Sequence, residues 1–341
     1  MENEQYRNRR SRKRKRRRRK NNRIILQSLI FVFFIVLALL IGNKVISIFL
    51  FEKPATEQIN EWEQAEKKPT LQPLDIDLEN LYSPYAFLVD TSSGTVINEY
   101  NSKDKIYPAS LTKIMTAILA IENTSDLGQS ITLPDEIFPP LYAQNASMAG
   151  FQPDEEVVLK DLLYGVMLPS GAECCIAFAE HIAGSEEQFV SLMNEKAKEL
   201  GMEHTHFTNS TGLHDPEHYS TVEDISILLQ YALENDDFRA AFTSSRYSTH
   251  SSEQHPDGFT FRSTMFKYMD NTEVVGGEFL GGKTGYTEEA GLCLASLAQI
   301  NGKEYILVTA KANGTHQTEQ FHILDAINVY NQIGEAVLST H

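Results

Sequence analysis

An uncharged apolar run of eighteen residues, Ile24 to Ile41, is the feature that most constrains this chain of 341 residues. As an α-helix the run would be about 27 Å long, close to the bilayer hydrocarbon thickness of about 30 Å. Lys44 ends the run and suits an interfacial position, so we predict a transmembrane helix over residues 24–43. A cleaved signal peptide is the alternative, but no small-residue cleavage site follows the run.

The charge distribution predicts the orientation of this helix. Residues 1–23 contain 13 Lys and Arg and two acidic residues, a net charge of +11, whereas residues 45–341 have a net charge of −28. Basic flanks remain in the cytoplasm, so we predict a single-pass membrane protein with a cytoplasmic tail over residues 1–23 and an extracytoplasmic remainder. The tail also suits contact with anionic lipid. Nucleic-acid binding is disfavoured, because the acidic remainder would repel phosphates.

The extracytoplasmic part divides into a stalk and a folded domain. Within residues 44–80, the stretch from residue 52 onward is rich in Glu, Gln, Lys and Pro and shows little apolar periodicity, as in extended linkers. Apolar periodicity typical of helices and strands begins near residue 81, and the sequence that follows contains no internal repeat. We therefore predict one catalytic domain over residues 81–341.

The apolar pattern predicts strands at both ends of this domain and helices between them. Hairpins are expected over Tyr85–Tyr100 and, around the turn Asn301-Gly302, over Leu292–Ala310. Five helices are expected: the first begins near Pro108, and the second runs from Glu155 to Met167. The third and fourth begin at the capping boxes of Ser185 and Ser220, and the last covers about Glu319 to Leu338. This order predicts a mixed α/β fold with a largely antiparallel sheet flanked by helices.

Ser110-Leu111-Thr112-Lys113 places a hydroxyl and an amine three residues apart on one helix face. A serine nucleophile with a lysine general base is the arrangement of Ser-Lys hydrolases. Lys113 must then lose its proton near neutral pH, which requires burial or a nearby cation because the reference pKa of lysine is about 10.4. Lys283 is such a second cation.

Two further segments supply the remaining chemistry. Gly281-Gly282-Lys283-Thr284-Gly285 combines an ammonium, a hydroxyl and slim backbone, so an extended peptide could lie along it and present its terminal carboxylate to Lys283 and Thr284. Ser170, in Pro169-Ser170-Gly171, adds a hydroxyl suited to relaying a proton to a leaving amine.

In this order, the three motifs match the set shared by class A β-lactamases and penicillin-binding proteins. From about Leu81 to about Thr315 the chain resembles the low-molecular-mass penicillin-binding proteins, the serine-type D-alanyl-D-alanine carboxypeptidases. The stretches that carry the resemblance are PASLTKIMTA (108–117), MLPSGAE (167–173), NSTGLHD (209–215), HYSTVED (218–224) and GGKTGYT (281–287).

The resemblance implies a β-lactamase-like fold with a mostly helical lobe. It implies cofactor-free removal of the terminal D-Ala from peptidoglycan stem peptides, with β-lactam antibiotics as inhibitors. Ser110 would be acylated, Lys113 would be the general base and Ser170 the proton relay. The implied substrate-binding residues are Lys283, Thr284, Gly285 and Tyr286, and the backbone N–H groups of Ser110 and Tyr286 would form the oxyanion hole.

One departure from the family pattern lies in the middle motif, where Ala172 stands in place of the usual Asn. A methyl group cannot form the hydrogen bonds of an amide. A catalytically weakened wall-binding or scaffold protein of the same fold therefore stays an alternative. A serine β-lactamase is another, although no deacylating Glu-x-x-Leu-Asn loop lies between Ser170 and Lys283.

A zinc site is the remaining alternative, suggested by four histidines close in sequence: His204, His206, His214 and His218. No HExxH or similar metal scaffold accompanies them, so we expect no metal ligands in this chain.

Overall fold

The structure, a computed structural model, describes residues 74–339. The strands are β1 Tyr85–Asp90, β2 Thr95–Tyr100, β3 Ser130–Thr132, β4 Glu156–Val158, β5 Arg246–Ser248, β6 Thr260–Arg262, β7 Glu273–Val274, β8 Gly277–Thr287, β9 Gly291–Ile300 and β10 Lys303–Ala312. The α-helices are α1 Lys113–Glu122, α2 Phe138–Ala143, α3 Leu159–Met167, α4 Ala172–Ala183, α5 Glu186–Glu199, α6 Val222–Leu233, α7 Asp236–Thr243 and α8 Phe321–Ser339.

The main sheet has six strands in the order β2-β1-β10-β9-β8-β7, and all neighbours are antiparallel. At the centre of the sheet, the first strand of the domain, β1, pairs with the last, β10. Tyr85 pairs with Ala310 and Asp90 with Tyr305. The predicted mixed α/β fold with a largely antiparallel sheet and flanking helices is confirmed.

Side chains alternate between two cores along the sheet strands, as the pleat requires. In β10, Ile306 and Val308 join the core beneath α1, α3, α4 and α6, whereas Tyr305 and Leu307 join the core beneath α8. We call these the helical-lobe face and the α8 face. Ile76 and Leu78, which we assigned to the stalk, are fully buried on the α8 face.

The expected hairpins, β1-β2 and β9-β10, are both present. The helix start predicted at Ser185 is confirmed, since the Ser185 side chain accepts a hydrogen bond from the Gln188 N–H group and caps the helix. The next helix is capped by Thr221 rather than Ser220, and the last begins at Phe321. The helix expected to begin at Glu155 is wrong in its first part, because β4 pairs there with β3 and the helix begins at Leu159.

Within residues 74–339, no helix is both long enough and apolar enough to cross a membrane. The predicted tail and transmembrane helix, and the stalk up to residue 73, lie outside the described residues.

Candidate active site

Ser110 and Lys113 meet at the start of α1. A 3-10 turn, Ala109–Thr112, leads into the helix and places the Lys113 Nζ atom 3.2 Å from Ser110 Oγ. Lys113 is only 2% exposed, whereas Ser110 is half-buried. The hydroxyl is therefore open to a ligand while the amine behind it is shielded from water.

The loop over residues 209–215, to which the sequence analysis assigned no catalytic role, holds Lys113 from the other side. The Thr211 carbonyl accepts a hydrogen bond from Lys113 Nζ. Asn209 Oδ1 fixes this loop by accepting from the N–H groups of Thr211 and Gly212. Gly212 has φ +80°, and a Cβ built there would lie 1.9 Å from the Ala109 carbonyl oxygen. Only glycine allows the loop to approach the nucleophile this closely.

Ser170 and Lys283 form a second Ser-Lys pair. Ser170 lies in the turn between α3 and α4, and Lys283 lies in β8. Lys283 Nζ donates to Ser170 Oγ at 2.9 Å and to the Thr284 carbonyl at 2.9 Å. Lys283 is fully buried, and Ser170 is 5% exposed.

Burial dominates the electrostatics of both lysines. Desolvation lowers the pKa of Lys113, and the nearby carboxylate of Glu173 opposes this shift. Desolvation and then the positive charge of Lys113 hold the pKa of Lys283 well below its ordinary range. Two ammonium groups in one dry cluster repel each other, and this repulsion favours deprotonation of one of them.

Strand β8 lies against the nucleophile and offers a free edge. A Cβ on Gly285 would lie 3.0 Å from the Ser110 nitrogen, so the strand backbone passes directly beside Ser110. Lys283–Thr287 pairs with β9, whereas β7 pairs only with Glu278 and Gly277 at the start of β8. Across residues 74–339, no strand covers the other edge of Lys283–Thr287. An extended peptide could add there as a further strand.

Strained backbone accompanies two reactive groups. Ser170 itself has φ +69°, and Ala109, directly before Ser110, has φ +46°. Non-glycine residues in this region cost about 1–3 kcal/mol each and cluster at functional sites. Sequence motifs carry no signal for such strain.

Ala172 is the first residue of α4 and is 1% exposed. Its N–H group donates to the Ser147 carbonyl at 2.7 Å. The structure therefore brings residue 172 beside the site but gives its side chain no polar role.

The histidines considered as a zinc site have separate partners. His218 is buried, with Nε2 bonded to Thr112 Oγ1 and Nδ1 accepting from the Thr208 N–H group. His206 bonds the Glu217 carbonyl, and His214 lies near Glu289. Among the described residues, no three His, Cys, Asp or Glu side chains could hold a metal ion together. His218 thus supports the helix turn that carries Ser110.

Comparison with known proteins identifies relatives of this arrangement. A sequence model described as D-alanyl-D-alanine carboxypeptidase matches residues 72–314. D-alanyl-D-alanine carboxypeptidase DacF of Bacillus subtilis is 36% identical over 234 residues, which cover 67% of this chain and 57% of DacF. DacC of Escherichia coli K12 is 37% identical over 149 residues, covering 41% of this chain and 37% of DacC. The chain thus spans little more than half of DacF and less of DacC.

The fold also matches solved structures. The crystal structure of the Streptomyces K15 DD-transpeptidase aligns with a TM-score of 0.66 and 25% identity, over 75% of this chain and 98% of that one. The D-alanyl-D-alanine carboxypeptidase of Mycobacterium tuberculosis aligns with a TM-score of 0.65 and 20% identity, over 79% and 96% respectively.

Proposed function

The chain belongs to the D-alanyl-D-alanine carboxypeptidase family, and on that premise we propose that it removes the terminal D-Ala from peptidoglycan stem peptides through an acyl-enzyme on Ser110. The observation that carries this proposal is the pair of Ser-Lys contacts made by buried lysines, Lys113 with Ser110 and Lys283 with Ser170. A wall-binding protein without catalysis would have no need for two buried amines beside two hydroxyls.

In the acylation step, the neutral amine of Lys113 accepts the Ser110 hydroxyl proton. Ser110 Oγ then attacks the carbonyl carbon of the penultimate D-Ala, and the peptide C–N bond breaks. The proton that Lys113 accepted then passes through the Ser170 hydroxyl to the leaving amine, so Lys113 is neutral again and free D-Ala departs. Water attacks the resulting ester with the same lysine as base, which releases the shortened peptide and restores Ser110.

Substrate binding also prepares the base. Lys283 and the Thr284 hydroxyl would bind the terminal carboxylate, along the free edge of β8. A bound carboxylate favours the charged form of Lys283, and repulsion from that charge favours the neutral form of Lys113. The substrate thus drives the proton distribution that its own cleavage requires.

The oxyanion formed on attack needs donors. The backbone N–H groups of Ser110 and Tyr286 would supply them, with Gly285 keeping the strand close enough to Ser110. Loss of one such donor typically costs 10²–10³-fold in rate, about 2.7–4 kcal/mol.

The anchoring of the enzyme is part of the proposal. A helix over residues 24–43 would hold the catalytic domain outside the cytoplasmic membrane, where peptidoglycan is found, with the basic tail inside. Protease added to intact cells should then cut the stalk and release the domain. Release of the basic tail instead would show that the orientation is reversed.

The chemistry is tested by incubating the extracytoplasmic part, residues 44–341, with a Lys-D-Ala-D-Ala peptide and measuring free D-Ala. Intact-protein mass spectrometry after β-lactam treatment should give one adduct, on the peptide that contains Ser110. Ser110→Ala should abolish both signals, whereas Ser248→Ala, at an exposed serine of β5, should retain them. An adduct that persists in Ser110→Ala would refute the assignment.

A further inference from the structure

Glu173 is a buried carboxylate beside the middle motif that the proposed reaction does not use. It lies in the first turn of α4 and is completely shielded from solvent. Its Oε1 atom accepts hydrogen bonds from the N–H groups of Ala149 at 2.7 Å and Gly150 at 2.9 Å. Its Oε2 atom is buried and has no hydrogen-bond partner in the part of the chain that the structure describes. A buried, half-satisfied carboxylate costs stability, so it calls for an explanation.

The two oxygens face two parts of the active site. Oε1 fixes the segment 147–150, which also accepts the Ala172 N–H group through Ser147. Ser147 lines a cavity of about 260 Å³ together with Thr264, Thr284, Gly285 and Tyr286. Oε2 lies about 3.0 Å from where a Cβ of Gly171 would be, so it rests against the turn that carries Ser170.

Glu173 lies in a cluster in which several neighbouring ionisable groups are uncharged. Burial raises the pKa of Cys175 to about 12 and that of Cys174 well above its ordinary value, so both thiols are neutral. Burial lowers the pKa of His218 to about 4, so the imidazole is neutral as well. Glu186 at the start of α5 interacts with Cys175 and lies further out.

Burial raises the pKa of Glu173, and the backbone hydrogen bonds that it accepts and the charge of Lys113 oppose that rise. On the side of Lys283, burial and the charges of Lys267 and Lys283 lower the pKa of His316, which favours a neutral imidazole. The buried groups whose charges must balance are then Lys113 from α1, Lys283 from β8 and Glu173 from α4.

We propose that Glu173 is the counter-charge of the two-lysine cluster, a positioning residue that sets how many protons Lys113 and Lys283 share while it holds the 147–150 wall of the cleft. The active form carries one proton on the pair, with Lys283 charged and Lys113 neutral. Together with the carboxylate of Glu173, this state is electrically neutral inside the protein. The inference rests on the proposed function, because it concerns the protonation of the same two lysines.

The test is the pH profile of acylation by a fluorescent β-lactam in Glu173→Gln, compared with the parent protein. Glutamine keeps the shape and an oxygen that can accept the two N–H bonds, but it removes the negative charge. A nearby anion favours both protonated forms of a lysine pair, so its loss should lower both apparent pKa values of the pair. Both limbs of the bell-shaped profile should move to lower pH by about one unit. The variant is then faster than the parent on the acid side and slower on the alkaline side.

Asp325→Asn is the matched control. Asp325 in α8 is 1% exposed and accepts two consecutive backbone N–H groups, those of Tyr82 and Ser83, each at 2.8 Å. The Asp325→Asn variant should have a lower melting temperature, but neither limb of its pH profile should move. A Glu173→Gln profile that is lowered at all pH values but keeps its limbs would overturn the proposal and leave Glu173 a structural residue. Failure of the proposed function would look different, because the parent protein itself would form no adduct.

Discussion

The two faces of the main sheet treat buried polar groups differently. On the α8 face, Asp325 accepts two backbone N–H groups, and the Tyr330 hydroxyl bonds Ser296 and the Tyr305 carbonyl. On the helical-lobe face, two lysines are buried close enough to repel each other, beside Glu173, one of whose oxygens has no hydrogen-bond partner within residues 74–339. The α8 face also holds such unpartnered atoms, for example at Ser83 and His322, but these groups are uncharged.

This difference separates groups that stabilise the fold from groups retained for chemistry. A paired polar group in a core fixes packing at little cost, whereas an uncompensated buried charge destabilises the native state. Natural proteins keep such conflicts mainly at functional sites. The α8 face therefore serves as an internal reference, and matched substitutions on the two faces test the distinction.

The largest contrast is expected from two glycines that each touch a backbone carbonyl. A Cβ at Gly212 would lie 1.9 Å from the Ala109 carbonyl oxygen, and one at Gly334 in α8 would lie 1.9 Å from that of Val275. Both Gly212→Ala and Gly334→Ala should lower the melting temperature. Only Gly212→Ala should slow β-lactam acylation of the folded fraction, by about 100-fold, because it shifts the loop that holds Lys113. Equal acylation rates per folded molecule would show that the Gly212 contact is merely structural.

The second prediction concerns a property that should be the same on both faces, the loss of stability at acid pH. His218 on the helical-lobe face and His322 on the α8 face are both buried, and burial lowers the pKa of each to about 4 from an ordinary 6.5. As pH falls, both histidines are protonated in the unfolded chain before they are protonated in the native state. Their contribution to the free energy of unfolding is therefore fully present above about pH 6.5 and is lost as pH falls toward about 4. The loss should be about 3 kcal/mol for each histidine at 1.36 kcal/mol per pKa unit.

The free energy of unfolding, measured by denaturant titration across this range, checks that expectation. His322→Leu should remove one of the two titrations and so reduce the acid loss by about 3 kcal/mol. An acid loss as large as that of the parent protein would mean that His322 is already charged in the native state.

The smallest effect is expected at residue 172. In a site that lacked only the amide, Ala172→Asn would add a hydrogen bond and accelerate acylation. Here the neighbouring Glu173 already fixes the 147–150 segment, and Ala172 is 1% exposed, so a larger Asn side chain would have to displace buried neighbours. We expect an acylation rate equal to that of the parent or lower, and a stability loss of about 1–3 kcal/mol from overpacking. A rise of tenfold or more in the acylation rate would show that the absence of the Asn amide slows the parent protein.

Much of the fold was predictable from local signals. The turn Asn301-Gly302 and the capping box at Ser185 act over a few residues, and each defines its element in isolation. The strand over Glu156–Val158 could not be predicted in this way, because it depends on a partner, Ser130–Thr132, more than twenty residues earlier. Apolar periodicity over so short a segment does not distinguish a strand from the start of a helix.

The site was predictable where motifs carry chemistry and unpredictable where geometry does. Ser110, Lys113, Ser170 and Lys283 stand out because their functional groups are rare in such order, and the structure brings them together in two pairs. The Thr211 carbonyl, Gly212 and Glu173 act through backbone position or burial, which neither composition nor spacing expresses. Their roles depend on contacts between segments distant in sequence.

The pairing of β1 with β10 has a consequence for the synthesis of the chain. The strand that begins the domain, Tyr85–Asp90, finds its central partner only when Lys303–Ala312 has been made. Ser110 likewise waits for Lys283, some 170 residues later, before its surroundings are complete. Non-local pairings of this kind fold slowly and leave strand edges exposed meanwhile. A ribosome-bound chain that lacks the last sheet strands should therefore be unable to react with a β-lactam, so covalent labelling would report the moment at which the domain closes.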